Sequence, residues 1–177
     1  RTHQSFCQHG KTVAELKVKS KDQSSKIKGQ NQSSMVNVPP KSFEEWERSV
    51  AEPIRADPLW QSVLYRKALF AYELAWFDCA RLMRDERGHA LVRQLLSSVA
   101  SISANIEEGY GKGFGADYAR YLQIALGSAR EARGWYWRSR HVLTSEIVSH
   151  RLALLSELIA ILTRTIPQQR QIKRNKS

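Results

Sequence analysis

With 177 residues, 42% of them hydrophobic, the chain is long enough for one domain with a sizeable core. Two cysteines, Cys7 and Cys79, exclude a disulfide framework, and no apolar run approaches the roughly 18–20 residues that a membrane span needs. The net charge of +11 invites a nucleic-acid reading, but the charge is unevenly placed.

Residues 1–41 carry 8 Lys/Arg against 2 Asp/Glu, residues 167–177 carry 4 against none, and the middle of the chain is close to neutral with 16 against 15. Such basic tails attract polyanions without sequence preference, or serve only to keep the protein in solution; both readings stand. The first 41 residues are rich in Lys, Ser and Gln with no apolar period, which predicts a disordered basic leader. The leader lacks the apolar core of a signal peptide, and Cys79 in an apolar helical run reads as a free buried thiol. A cytoplasmic, reducing compartment fits both observations.

Residues 42–56 read as a short helix and linker. Ser42-Phe43-Glu44-Glu45 has the spacing of a capping box, the helix is expected to reach about Ala51, and Pro53 to end it. Residues 57–168 read as an all-α, antiparallel up-down-up-down four-helix bundle, with 169–177 as a basic tail. Asp57-Pro58 is a helix start, and the first long helix is expected from there to about Arg84. Leu64, Ala68, Ala71, Ala75 and Leu82 form its inward stripe, with Phe70, Leu74 and Phe77 as a second stripe beside it.

Gly88 is expected to break the chain before a second helix from about His89 to Glu108, with Leu91, Leu95, Ser98, Ile102 and Ile106 inward and Gly109 just past its end. The third helix starts near Ala116, and Tyr118, Leu122, Ala125, Ala129, Ala132 and Tyr136 trace the seam of a left-handed bundle. The fourth is capped by Thr144 and limited by Pro167, with Val148, Leu152, Leu155, Ile159, Leu162 and Ile166 on its seam. Ile147, Leu154, Leu158 and Ile161 lie off that seam. Together with the aromatic stripe they exceed what one intrachain core requires, which points to subunit contacts or to a wide core around bulky side chains.

No constellation carries catalysis. Glu86-Arg87-Gly88-His89 has a di-metal spacing, but Gly88 is expected to place it in a turn, and Glu146 with His150 lacks a mate. No histidine falls on a core seam, so neither metal nor cofactor is expected. The glycine run from Gly109 to Gly115 lacks the Gly-Lys-Ser/Thr ending and the preceding strand of a phosphate loop, and reads as a connector from which Lys112 and Arg120 can touch a nucleic-acid backbone. Glu107 and Glu108 diverge by about 100° on a helix and cannot work as an acid/base pair. Ser128 with Glu131 has no histidine in phase. Asn105 sits at or beside the seam, where a buried amide can set helix register.

Arg130, Arg133 and Arg140 fall within roughly 80° of one another around the third helix, with Arg138 further round. Trp135, Tyr136 and Trp137 interleave them. Arginine with aromatics suits phosphate contact and base stacking, and equally suits an oligomer interface. Lys173 and Arg174 extend the candidate set into the tail.

Two segments carry a resemblance. Ser101 to Gly109 and Tyr121 to Glu131 are crowded with Ser, Ala and Gly where an amphipathic helix would place Leu, so two backbones should approach closely. The pair resembles the signature of the small bacterial four-helix-bundle family encoded in intervening sequences of 23S ribosomal RNA genes. Accessory proteins of diversity-generating retroelements are its more distant relatives. The resemblance covers about residues 59–166; the basic leader and the Trp46 helix are additions, and Ser97, Ser98 and Val99 depart from the basic or Ala residues common in relatives. It marks Asn105, Glu108, Gly109, Gly127 and Ser128 as structural motif positions. It implies a ring-shaped homopentamer, with a reverse transcriptase among the possible partners. The missing constellations and the basic surfaces and tails point to a non-enzymatic bundle that binds RNA or DNA, or alternatively to a protein-interaction module or accessory subunit, with no membrane partner.

Overall fold

Among the described residues, 38–172 of a computed structural model, the chain forms six α-helices and no strand. They are α1 (Phe43–Ser49), α2 (Glu52–Arg55), α3 (Val63–Leu82), α4 (Glu86–Gly111), α5 (Ala116–Arg138) and α6 (Ser145–Gln171). The disorder expected of residues 1–37, Cys7, and the tail candidates Lys173 and Arg174 lie outside the described residues.

The capping chemistry sets most of the boundaries. The Ser42 hydroxyl accepts from the Glu45 N–H at 3.2 Å, while the Glu45 carboxylate accepts from the backbone of Lys41, not of Ser42. Pro53 does not end α1; it sits in the first turn of α2, where its missing N–H costs no helical bond. Asp57 does cap the residues after it, through Oδ1 and the Leu59 N–H at 2.7 Å, but Pro58–Gln61 is a 3₁₀ turn. Ser62 then caps α3 separately, so the first long helix begins five residues later than Asp57-Pro58 suggested.

Three further expected punctuations fail. Gly88 lies inside the first turn of α4, whose cap is Asp85, and a Cβ on it would meet the Leu82 carbonyl oxygen at 2.1 Å. Its glycine therefore permits a tight α3–α4 corner instead of breaking a helix. Gly109 is likewise helical and buried, with α4 continuing to Gly111. Pro167 is carried within α6, which runs one turn further to Gln171. The cap of α6 is as expected, with the Thr144 hydroxyl accepting from the Ile147 N–H.

The pairing of the helices shows their direction. Ser101 of α4 meets Ser128 of α5, and Glu108 meets Tyr121, so α4 and α5 run antiparallel. Lys67 of α3 meets Glu157 of α6, while Asp78 meets Arg151, so α3 and α6 run antiparallel too. The result is an up-down-up-down bundle of α3 to α6. The α3–α4 and α5–α6 connections share one end; the α4–α5 connection and the α6 C-terminus share the other.

The stripe of α3 from Leu64 to Leu82 and that of α5 from Tyr118 to Tyr136 are buried at every expected position. On α4, Leu91 is only half-buried. On α6 the inward face is rotated from the expected seam: Leu158 is fully buried and Leu154 buried, while Leu152 and Ile159 are half-buried. Of the second stripe on α3, Leu74 is buried, Phe70 is buried beneath α1, and Phe77 stays half-buried. Trp46 packs on Phe70 at 5.4 Å and on Trp60 at 6.0 Å between ring centroids, and Phe43 meets Phe70 edge-on at 5.3 Å. Much of the surplus apolar surface is thus absorbed within one chain.

Candidate nucleic-acid interface

The close approach expected of α4 and α5 is real and is centred on Gly109. A Cβ there would lie 2.6 Å from Tyr121 Cβ and 2.8 Å from a ring carbon of Tyr118, distances no side chain can occupy. Glu108 holds the same contact from outside by accepting the Tyr121 hydroxyl at 2.9 Å, and Glu107 accepts the Tyr65 hydroxyl of α3 at 2.9 Å. The adjacent carboxylates thus clamp opposite neighbours. Higher up, Ser101 and Ser128 share a hydrogen bond at 2.9 Å, and Asn105 donates to the Ser101 carbonyl at 2.7 Å and to its hydroxyl at 3.0 Å. Asn105 therefore holds its own helix and the serine bridge. Gly127 is different: it faces open space, with nothing within 4 Å of an added Cβ.

The arginine candidates separate into two groups. Arg138 stacks over the Trp135 ring at 4.8 Å, and Arg140 over Trp137 at 4.4 Å. Arg140 lies in the 3₁₀ turn Ser139–His141, so it leaves the helical phase it was expected to share with Arg130 and Arg133. Arg133 turns toward α6 and donates to the Ser156 hydroxyl at 3.3 Å, while Arg130 is exposed. Lys112 and Arg120 sit toward the other end of the bundle; the 18 residues between Arg120 and Arg138 span about 27 Å of helix. One patch cannot contain both groups.

The shared end adds cations that sequence reading missed. Arg81, Arg84 and Arg87 flank the α3–α4 corner, at the same end of the bundle as Arg138 and Arg140. They stand some fifty residues apart in the chain, and only the antiparallel topology gathers them. Arg87 forks onto Asp85 at 2.7 Å and 3.0 Å, and that pairing holds the Asp85 carboxyl down at about 2. An arginine stacked on an indole keeps N–H edges for phosphate oxygens, and its exposed aromatic partner offers a stacking face for a base. Trp137, 55% exposed, is such a partner.

Beneath this end lies a buried charged centre that no pattern announced. Asp78 of α3 is fully buried and accepts from Arg151 Nε of α6 at 2.7 Å, from the Tyr136 hydroxyl of α5 at 3.0 Å and from Arg81 at 3.0 Å. Burial pushes the Tyr136 hydroxyl well above its usual pKa. Arg151 also donates to Nδ1 of His150 at 2.7 Å, and burial with that cation beside it lowers the His150 pKa. Burial pushes the Cys79 thiol up to about 11, so it stays protonated at neutral pH. His89 belongs to a helical turn, not a loop, and its Nε2 contacts the Met83 carbonyl at 2.7 Å. Among the described residues no group of three or more His, Cys, Asp or Glu is placed to hold a metal ion, and no helix is long and apolar enough to cross a membrane.

The sequence profile of the 23S rRNA-intervening sequence proteins matches residues 63–164, a span that takes in α3, α4 and α5 and most of α6. The chain belongs to that family. The bundle is also similar to the crystal structure of a protein of unknown function from the S23 ribosomal protein family of Bacteroides thetaiotaomicron, with 25% identity and a TM-score of 0.55. That likeness covers 59% of this chain and 98% of the other. Among curated proteins none matches. Helices α1 and α2, and with them the Trp46 cover over Phe70, lie outside the residues matched.

Proposed function

We propose that this protein is a non-enzymatic, self-associating helical bundle that binds RNA or DNA through the arginine-rich end of the bundle and through its basic terminal segments. The observation that carries the reading is the stacking of Arg138 on Trp135 and of Arg140 on Trp137, at the same end of the bundle as Arg81, Arg84 and Arg87. The end has the paired chemistry of a nucleic-acid contact, with guanidinium edges for phosphates and indole faces for bases. Membership of a family named for intervening sequences of 23S rRNA supports RNA as the first ligand to test.

Self-association rests on a different surface. Leu69, Tyr72, Trp76 and Met83 follow one another at three, four and seven residues along the outside of α3, and Trp76 and Met83 are 58% and 52% exposed. An apolar helical stripe of that kind is what a partner helix covers. A second copy of the chain is the occupant this reading assigns to it. A different protein on the same stripe is the rival reading.

Gel shifts with structured RNA and with duplex DNA, repeated across salt concentrations, test the proposal. Binding is expected to weaken steeply with salt, because each phosphate contact releases a counterion. A full-length protein that shifts neither nucleic acid at low salt overturns it and leaves the protein-interaction reading.

A further inference from the structure

At the end of the bundle remote from the arginines, a cavity of ≈ 400 Å³ opens between α2, the start of α3 and the last turns of α4. Ile54, Leu59, Tyr65 and Tyr110 supply apolar and aromatic walls, and Asp57 and Glu107 supply two carboxylates. No lysine or arginine lines it, although the chain as a whole carries +11. Asp57 uses Oδ1 to accept the Leu59 N–H at 2.7 Å, and Glu107 uses Oε1 to accept the Tyr65 hydroxyl at 2.9 Å. Neither carboxylate has an ion-pair partner among the described residues, so each keeps a negative charge and a second oxygen for something else. Tyr65 is buried and held by its hydroxyl, and Tyr110 is held by edge-on contacts with Phe114 at 5.8 Å and Tyr118 at 6.4 Å.

We infer that this crevice is a binding site for a small organic cation, an ammonium or guanidinium group carried on an apolar body. Aromatic faces attract cations through the ring quadrupole, and carboxylates at the same mouth add direct attraction. The volume lies within the about 300–1,000 Å³ typical of small-molecule pockets, and Ile54, 42% exposed, gives the apolar body a surface to cover. The crevice lies at the opposite end of the bundle from the stacked arginines. The 20 residues of α4 from Arg87 to Glu107 separate the two by about 30 Å.

Nuclear magnetic resonance titration of the full chain with phenethylammonium tests the inference, with 2-phenylethanol as its neutral counterpart. The cation is expected to shift the amide resonances of Ile54, Tyr65, Glu107 and Gly111 saturably at millimolar concentration, and the alcohol at least tenfold more weakly. The double variant Asp57→Asn, Glu107→Gln removes both charges while Asn still caps and Gln still accepts the Tyr65 hydroxyl. It should bind the cation at least tenfold more weakly. Equal binding of cation and alcohol, equal binding by the variant, or no saturable shift overturns the site. If the variant does not fold, the comparison of cation and alcohol on the unaltered chain still decides. Should acetyl-Gly-Arg-Gly-amide bind far more tightly than phenethylammonium, the small-molecule assignment fails and the pocket belongs to a partner's arginine.

Discussion

Arg151 and Asp78 stand 73 residues apart in sequence, and Arg151 Nε donates to Asp78 Oδ2 at 2.7 Å in the interior of the bundle. A second contact, from Nη2 to Oδ1 at 3.3 Å, makes the pairing two-pronged. The Tyr136 hydroxyl completes the shell, so three of the four helices are tied at one buried carboxylate. A buried pair of this kind is poor evidence for stability by itself, but it penalises every arrangement that separates its members.

Removing one member should therefore cost more than removing both. Arg151→Ala leaves Asp78 buried with its main cation gone and is expected to destabilise the fold by about 3–5 kcal/mol. Arg151→Met with Asp78→Leu should recover part of that loss, since an apolar pair of similar volume is often neutral but the buried Tyr136 hydroxyl loses its acceptor. Urea unfolding of the two variants checks this. A double variant as unstable as the single one would show that the pair specifies packing beyond its charge.

The histidine beside this pair gives stability a direction with pH. The His150 pKa is lowered below 6.5 in the folded chain, so between the folded value and 6.5 the unfolded chain binds more protons. The associated stability is fully present above pH 6.5 and declines as pH falls toward the folded value. The contribution of Asp85, held at about 2 from an ordinary 3.8, is fully present above pH 4 and is lost only as pH falls below that. Thermal melting from pH 7.5 to 5 should fall more in the native chain than in His150→Gln, which accepts from Arg151 without titrating. Identical pH profiles for the two chains would remove His150 from the account.

Gly109 and Gly127 should respond oppositely to alanine. Gly109→Ala places a Cβ 2.6 Å from Tyr121 Cβ, so α4 and α5 must part. Overpacking of this kind costs about 1–3 kcal/mol. Gly127→Ala meets open space on a helix and should stabilise by about 0.5–1 kcal/mol, because alanine loses less backbone freedom on folding. Parallel melts of the two variants make the comparison.

For association, light scattering of the native chain at micromolar concentration should give several times 20.3 kDa. Trp76→Glu with Met83→Glu, both exposed positions, should lower that mass without unfolding the bundle. An unchanged mass moves the interface off α3. A native chain that runs as a monomer rejects self-association.

The two groups of basic residues should also separate in binding assays. Arg138→Ala with Arg140→Ala is expected to weaken RNA affinity and to flatten its salt dependence by about one counterion per lost phosphate contact. Lys112→Ala with Arg120→Ala, toward the remote end, should change either quantity little. The reverse ranking would place the interface at the α4–α5 connection.

How much of this was legible in sequence follows from which forces are local. Periodicity alone marked the stripes Leu64 to Leu82 and Tyr118 to Tyr136, because the apolar residues of a helix that packs one face on a core must recur at the helical period. Ser42, Asp57 and Thr144 announced themselves as caps because a free backbone N–H is satisfied by a side chain two or three residues away. Gly88 and Gly109 misled for the complementary reason. Locally a glycine favours a helix end, but here each lies within a helix because the Leu82 carbonyl or the Tyr121 side chain fills the space where a Cβ would be. The cover of α1 over Phe70, the rotation of α6 that buries Leu158, the Asp78–Arg151 pair and the gathering of Arg84 with Arg140 all join residues distant in the chain. Such contacts depend on how whole helices are oriented against one another, and only the tertiary structure decides that.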